Sequence, residues 1–471
     1  EETWRPRRGP ARVPERKPSD RPNVLWLMAD QLRGDTFGFM NHPMCKTPNL
    51  DRLAERGAVF TRSYCSEPVC APSRATMLTG HHNFRNGVIQ NGYPMRKNEV
   101  TFPALLTEAG YRTASIGKTH CGRSGKEIFE YNQGVKDAFG ATKPSDVPFK
   151  PALFPDSSYL GGEPVDNSDW MISGIYPGPV ETTKSYNLAT QAMKWLYWHD
   201  DPRPFFLRVS FDDPHPPIAP PEPFASMYSP DDVPEELIAG QRESMASKPQ
   251  TVQDWWTYRY MDEISEEEHR KHAARYWGLV SHLDAQMGRI MDYLEELDMA
   301  DNTIVIVNSD HGQMTGEHCL VHKGPYMYEG ITHIPTLVSW PGRIEPGTRV
   351  DEFAEGVDLA PTVLDMLDVA APDDLHGRSW MPLLDGEAEG WRDAAFIQWE
   401  DYVFCIRTDR WKLTWYESDQ DGELYDMEND PWETANLFGA DECADVRAEL
   451  MDRLNQWRAE YARPEDRPSG D

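Results

Sequence analysis

A chain of 471 residues is too long for one ordinary hydrophobic core and suits one large domain with a smaller partner. Its 39% hydrophobic and 27% charged residues describe a globular protein, and no apolar run is long enough to span a bilayer as a helix. The formal charge of −31 excludes nucleic acid and anionic membrane as principal partners, so any anionic substrate needs local cations that reverse the global field.

In chain order, residues 1–22 read as a basic Pro/Arg-rich arm with almost no aliphatic side chains, able to lie on the acidic surface of a second copy in a homo-oligomer. No basic-then-apolar signal pattern opens the chain. That predicts a cytoplasmic protein, or a periplasmic or secreted one if a signal peptide has been removed. The apolar run 24–29 reads as a strand buried on both faces and ends at Asp30. Residues 47–56 follow as a helix. Further strands are predicted over 113–116, 205–211, 303–307 and 336–339. A long helix over 266–297 carries Tyr276, Val280, Leu283, Met287 and Ile290 as its core stripe.

This alternation predicts an α/β fold: a large, mostly parallel central sheet with helices on both faces. The segments 143–181 and 216–262 read as long loops over a site. Past 386 the pattern becomes short antiparallel strands at 395–399, 402–407 and 411–416. A helix over 441–461 with Asp441 as N-cap then closes a small α+β subdomain with an antiparallel sheet. The predicted organisation is an arm (1–22), a catalytic domain (23–385) and a C-terminal subdomain (386–471).

Titratable groups follow the strands: Asp30 the first, Lys118 and His120 the second, His215 the third, Asp310 and His311 the fourth. Ligands of open α/β sheets bind at the carboxyl ends of strands, so four strands delivering such groups to one edge predict a site there. The seven cysteines are odd in number and scattered, which is not a disulfide framework. At least one is left for chemistry, while Cys405 and Cys443 read as buried thiols. His81 and His82 are expected at a helix end or on a loop surface, and His269 and His272 are expected to be solvated on an acidic helix.

Cys70-Ala71-Pro72-Ser73-Arg74 places a cysteine just ahead of a helix expected to begin near Pro72, whose positive end would face whatever Cys70 becomes. This Cys-x-Pro-Ser-Arg pattern resembles the maturation signature of the type I sulfatases, whose cysteine is oxidised to formylglycine by a separate formylglycine-generating enzyme. The resemblance extends over about residues 22–440. It includes 22–30, Thr47-Pro48-Asn49-Leu50-Asp51-Arg52-Leu53, Gly117-Lys118-Thr119-His120, Ser309-Asp310-His311-Gly312, Lys323-Gly324, and a tail through Leu424-Tyr425-Asp426, Asp430-Pro431, Glu433 and Asn436-Leu437. It implies an alkaline phosphatase-like fold and hydrolysis of sulfate monoesters.

The resemblance also implies a division of labour. Asp30, Asp310, His311 and an oxygen of residue 70 would hold one divalent metal, with Gln31 able to add a carbonyl oxygen. Arg74 would hold the hydrated formylglycine. Lys118, His215 and Lys323 would contact sulfate oxygens, with Lys118 or His215 as proton donor, and His120 would act as base. Asn91 is a substrate-contact candidate, with Asn86 competing.

Gln31 and His311 depart from the commoner pattern of that family and resemble choline sulfatases and phosphonate monoester hydrolases. A histidine ligand makes Mn²⁺ a contender beside Ca²⁺. A phosphonate monoester or phosphodiester hydrolase is therefore the rival reading. Against it stand Lys118 and His120, where those hydrolases carry Tyr and Thr. The leading substrate class is a sulfated carbohydrate, small or oligomeric, because Trp170, Trp255 and Trp256 on the long loops offer faces for sugar rings.

Overall fold

The computed structural model describes residues 21–134, 173–235, 245–259 and 261–462. Most of the basic arm, and the part of the first long loop that carries Trp170, lie outside the described residues.

Strand β1 (Asn23–Asp30) is buried along its whole length. Leu25, Leu27 and Ala29 enter one apolar cluster, and Val24, Trp26 and Met28 enter another. Alternate residues of a strand point to opposite faces, so a strand covered on both sides must be apolar throughout. β2 (Ala58–Tyr64), β3 (Arg112–Gly117), β4 (Tyr131–Gln133), β5 (Phe205–Pro214) and β6 (Thr303–Ser309) follow, then a short ribbon of β7 (Met314–Thr315) and β8 (Val321–His322), then β9 (Thr336–Ser339) and β10 (Thr348–Glu355). The eight-stranded sheet has the order β10-β2-β9-β6-β1-β5-β3-β4. β9 runs antiparallel to β2 and β6, while the other neighbours pair in parallel. β1, β3, β5 and β6 therefore end on one edge.

Helices cover both faces. α1 (Pro48–Glu55), α3 (Lys184–Trp198) and α5 (Glu266–Glu296) pack on one, with the predicted stripe of α5 in its core. α2 (Cys70–Thr79) and α6 (Leu359–Met366) pack on the other. The second long loop is partly ordered as α4 (Gln250–Tyr258). β2 and β10 escape the apolar-run signal because each mixes polar and apolar residues, and β10 lies at the sheet edge.

The C-terminal sheet is antiparallel: β11 (Ala394–Trp399), β12 (Val403–Thr408), β13 (Trp411–Tyr416) and β14 (Asp421–Asp426). One face takes Leu450, Leu454 and Trp457 of α7 (Ala444–Tyr461). Asp441 is not the cap of that helix. It opens a 3-10 turn, and Cys443 occupies the N-cap position without a side-chain bond. The other face joins Tyr64, Met314 and Tyr328 of the main body.

Buried charges cross this junction. Lys412 Nζ lies 3.0 Å from Glu329 Oε1 and 2.9 Å from Glu433 Oε1, with the lysine side chain 1% exposed. Removing one partner of a buried ion pair strands the other charge. Lys412→Met should therefore cost about 3–5 kcal/mol in urea denaturation. An unchanged midpoint and slope would show that the junction does not depend on this contact.

Candidate active site

Four parallel strand ends and one helix start deliver the site. β1 ends in Asp30 and is followed by Gln31, whose φ of 67° turns the chain sharply out of the sheet. β6 is followed by Asp310 and His311. All four residues are buried. Cys70 is the first residue of α2, two positions earlier than the sequence suggests, with extended Val69 as its N-cap. Its Sγ lies 3.6 Å from Asp30 Oδ1 and 3.3 Å from His311 Nε2. One ligand atom from each of Asp30, Cys70, Asp310 and His311 lies within 4.8 Å of the others.

The donor set fits a divalent cation, because its orientation is already fixed by neighbours. His311 Nδ1 donates to Gly312 O at 2.9 Å, which turns the Nε2 lone pair into the cluster. Gln31 Nε2 donates to Gln313 Oε1 at 2.6 Å, so Gln31 Oε1 faces inward, where Lys323 Nζ donates to it at 3.1 Å. Gln313 Nε2 in turn donates to His272 Nε2 at 3.0 Å. Burial first, then His269 and Arg275, lower the His272 pKa to about 3, so that ring stays a neutral acceptor. The relay from His272 through Gln313 thus selects which end of the Gln31 amide meets the cluster.

Asp310 Oδ1 accepts from the backbone N–H groups of Gln31 and His311, both at 2.9 Å. Arg74 bridges the carboxylates, with Nε 2.7 Å from Asp310 Oδ2 and Nη2 2.9 Å from Asp30 Oδ2. Its Nη1 donates to Ser210 Oγ at 2.8 Å and Lys118 O at 3.1 Å. The guanidinium thus ties both carboxylates to β5 and to the loop after β3, and among the described residues it makes no hydrogen bond to the Cys70 sulfur. Lys118 Nζ donates to Asp30 Oδ2. Burial and the Cys70 sulfur push the Asp30 carboxyl up, but Lys118, His215 and Arg74 outweigh them and hold it well below the usual carboxylate range. Burial lowers the Lys118 pKa, but Asp30, the Cys70 sulfur and Asp310 together more than restore it, so the ammonium stays charged.

Lys323 Nζ lies 3.0 Å from Cys70 Sγ and 3.2 Å from His311 Nε2. Burial raises the Cys70 thiol, yet Lys323, Lys118, His311 and a hydrogen bond with His120 bring it well below its ordinary value. His120 sits in a left-handed conformation, φ 38°. His215 Nδ1 meets Pro216 O at 2.8 Å. Asn91 Oδ1 accepts from the Ala71 N–H at 3.1 Å, which places it at the first turn of α2. Asn86 is bound into its own turn, to Val88 N and His81 O.

The histidine expectations need correction: His81, His82, His269 and His272 are all buried. His81 meets Glu99 at 2.7 Å, His82 stacks on His376, and the other two face the segment 313–316 beneath the cluster. The acidic first turn of α5 conceals the fact that the opposite side of the helix is covered. Arg208 was missed because it lies within an apolar strand. It is fully buried in β5, donates to Ser115 Oγ at 2.9 Å and to Lys118 O at 3.3 Å, and lies 4.9 Å from the Phe129 ring centroid. Burial and then Arg74 lower its pKa to about 9, so it remains a cation beneath the loop carrying Lys118. None of the seven cysteines forms a disulfide, and all are buried.

Residues 22–369 match the family model described as Sulfatase, and 316–460 match one described as N-sulphoglucosamine sulphohydrolase, C-terminal. The chain belongs to the sulfatase family. An arylsulfatase of Clostridium perfringens is 31% identical, over 90% of this chain and 91% of its own. An N-acetylglucosamine-6-O-sulfatase of Bacteroides thetaiotaomicron is 27% identical, over 95% of this chain and 88% of its own. Among solved structures, the phosphonate monoester hydrolase of Agrobacterium radiobacter superposes with TM-score 0.79 at 27% identity, covering 94% of this chain and 96% of that one. A complex with the substrate D-glucosamine-2-N,6-O-disulfate gives TM-score 0.72 at 25% identity, covering 95% and 100%. As a sulfatase, the chain carries its Cys-x-Pro-Ser-Arg segment at the start of α2, facing the strand ends.

Elemental analysis of Asp310→Ala should show metal content collapsing. Gln313→Leu should bind Mn²⁺ about tenfold more weakly in calorimetry of the metal-free protein, the scale of losing an outer-shell partner. Unchanged affinity in Gln313→Leu would remove Gln31 from the donor set.

Proposed function

We propose that this sulfatase hydrolyses sulfate monoesters of carbohydrates, using formylglycine formed from Cys70 and one divalent metal. The observation that carries the reading is the meeting of residue 70, two carboxylates, His311 and two lysine ammoniums in one buried cluster. A relative named N-acetylglucosamine-6-O-sulfatase, and a structural neighbour solved with a sulfated glucosamine, support the carbohydrate class.

Asp30, Asp310, His311 and the Gln31 oxygen would hold the metal together with an oxygen of residue 70. When bound, a divalent ion there favours ionised oxygen on residue 70 and withdraws charge from sulfate oxygens. A hydrated formylglycine supplies two hydroxyls on one carbon, one to attack sulfur and the other to expel sulfate later.

The chain's own residues do the rest. Arg74 holds the carboxylates apart and in register. Lys118 and Lys323 offset the charge of the oxygens around sulfur, in a site where burial strengthens each interaction. His120, in a left-handed turn just after β3, is the candidate to take a proton from the second hydroxyl of residue 70. With Nδ1 donating to Pro216 O, a neutral His215 presents a lone pair at Nε2 and can donate there only as imidazolium. Lys118 keeps its ammonium through the working range and so has a proton available for the leaving oxygen, with His215 in its imidazolium form as the other candidate donor.

Cys70→Ala should abolish turnover while near-ultraviolet dichroism stays native. Substantial residual activity would sink the nucleophile. The matured enzyme should prefer an aryl sulfate over an aryl phosphonate and a bis-aryl phosphate in kcat/KM at one pH and metal load. Lys118→Met should reduce the sulfate reaction by about 3 kcal/mol in the transition state. A preference for the phosphonate or diester would promote the rival hydrolase reading, which Gln31, His311 and the phosphonate hydrolase neighbour favour.

A further inference from the structure

The segment that carries Lys323 into the cluster meets hydrogen-bond donors that the described residues leave unspent. A Cβ built on Gly324 would stand 2.5 Å from Trp255 Nε1, so the indole edge lies directly against the backbone beside Lys323. That indole N–H is buried and finds no acceptor. The guanidinium of Arg259 lies over the Trp255 ring, 4.8 Å from its centroid, and 5.7 Å from that of Tyr258. Among the described residues no carboxylate pairs with it, although the chain has a formal charge of −31. On the other side of Lys323, His322 is 6% exposed, and neither of its ring nitrogens has a hydrogen-bond partner among the described residues. Burial depresses its pKa, and Lys323 and Arg259 are among the charges that lower it further, so the ring stays neutral.

These groups share one chemistry. Trp255 offers only a donor, Arg259 offers only donors and a full charge, and neutral His322 must carry one N–H. A buried donor without an acceptor is costly, and a stacked guanidinium is a preorganised fork for a carboxylate or sulfate. A neutral sugar hydroxyl would use one of these donors but would leave the Arg259 charge unanswered.

We propose that Arg259, His322 and the Trp255 indole N–H form a second oxyanion-recognition point beside the sulfate site, reading a carboxylate or a second sulfate on the leaving-group sugar. The inference rests on the carbohydrate sulfatase reading and narrows its substrate class to doubly anionic sugars. A bland alternative exists for Arg259: it caps the C-terminus of α4, where a cation is favoured by the helix dipole. That role gives no reason for substrate-dependent effects.

The test uses the matured holoenzyme and three 6-sulfated substrates: N-acetylglucosamine 6-sulfate, D-glucosamine-2-N,6-O-disulfate, and a glucuronate-containing disaccharide carrying one 6-sulfate. For the Arg259→Met variant, the ratio of kcat/KM for the doubly anionic over the singly anionic substrate should fall about tenfold, mainly through KM, and Arg259→Lys should restore part of it. His322→Phe should lower the same ratio. The substrate with the larger loss identifies the second group as sulfate or carboxylate. A ratio within about twofold of the parent, or equal losses on all three accompanied by a lower melting temperature, would overturn the proposal and leave Arg259 a helix cap. If the parent enzyme cleaves none of the three, the carbohydrate reading itself fails. Calorimetric binding of the disulfate to the parent and to Arg259→Met then still decides the subsite, since equal affinities would refute it.

Discussion

Two carboxylates without solvent contact, Asp30 and Asp310, share one guanidinium, that of Arg74. Like charges buried side by side repel strongly, and each loses hydration that the protein must replace. Arg74 answers both at once, and its remaining donors fasten the loop after β3 through Lys118 O and β5 through Ser210 Oγ. Its placement depends on α2 being buried at every one of its ten residues. The ends of β1 and β6, the first turn of α2 and the Lys118 loop are thereby tied to one cation, and residue 70 is held among them.

The surrounding cations then follow from charge balance. Lys118 answers Asp30, Lys323 reaches Cys70, Gln31 and His311, and Arg208 lies beneath with no carboxylate partner among the described residues. This local excess of positive charge is what an acidic protein requires if it is to hold an anionic ester. Close backbone approach is part of the same construction. A Cβ at Gly117 would stand 2.0 Å from Ser210 O, and the residue has φ 100°, so only glycine lets β3 turn into the Lys118 loop against β5.

The C-terminal sheet supports the site from outside. Lys412 and Glu433 meet Glu329, and the Glu329 N–H donates to Glu433 Oε2 at 2.7 Å. Tyr328 donates to Glu423 at 2.7 Å. These contacts anchor the chain a few residues beyond Lys323, while Trp399 at the end of β11 packs edge-on to Trp255. The small sheet therefore fixes the position of a segment whose lysine lies 3.0 Å from Cys70 Sγ.

By itself the sequence determined the central strands, because burial on both faces demands unbroken apolar runs, as in 24–29. It also singled out the candidate site residues, since Asp30, Lys118, Asp310 and His311 stand just after such runs and Cys70 stands in a recognisable motif. Tertiary structure alone decided the rest. The burial of His269 and His272, the use of Arg74 as a bridge between carboxylates, and the orientation of the Gln31 amide through Gln313 and His272 all arise from residues far apart in the chain. Periodicity reports whether a side chain faces a core. It carries no information about which distant polar partner waits there, and that partner sets hydrogen-bond direction, charge and role.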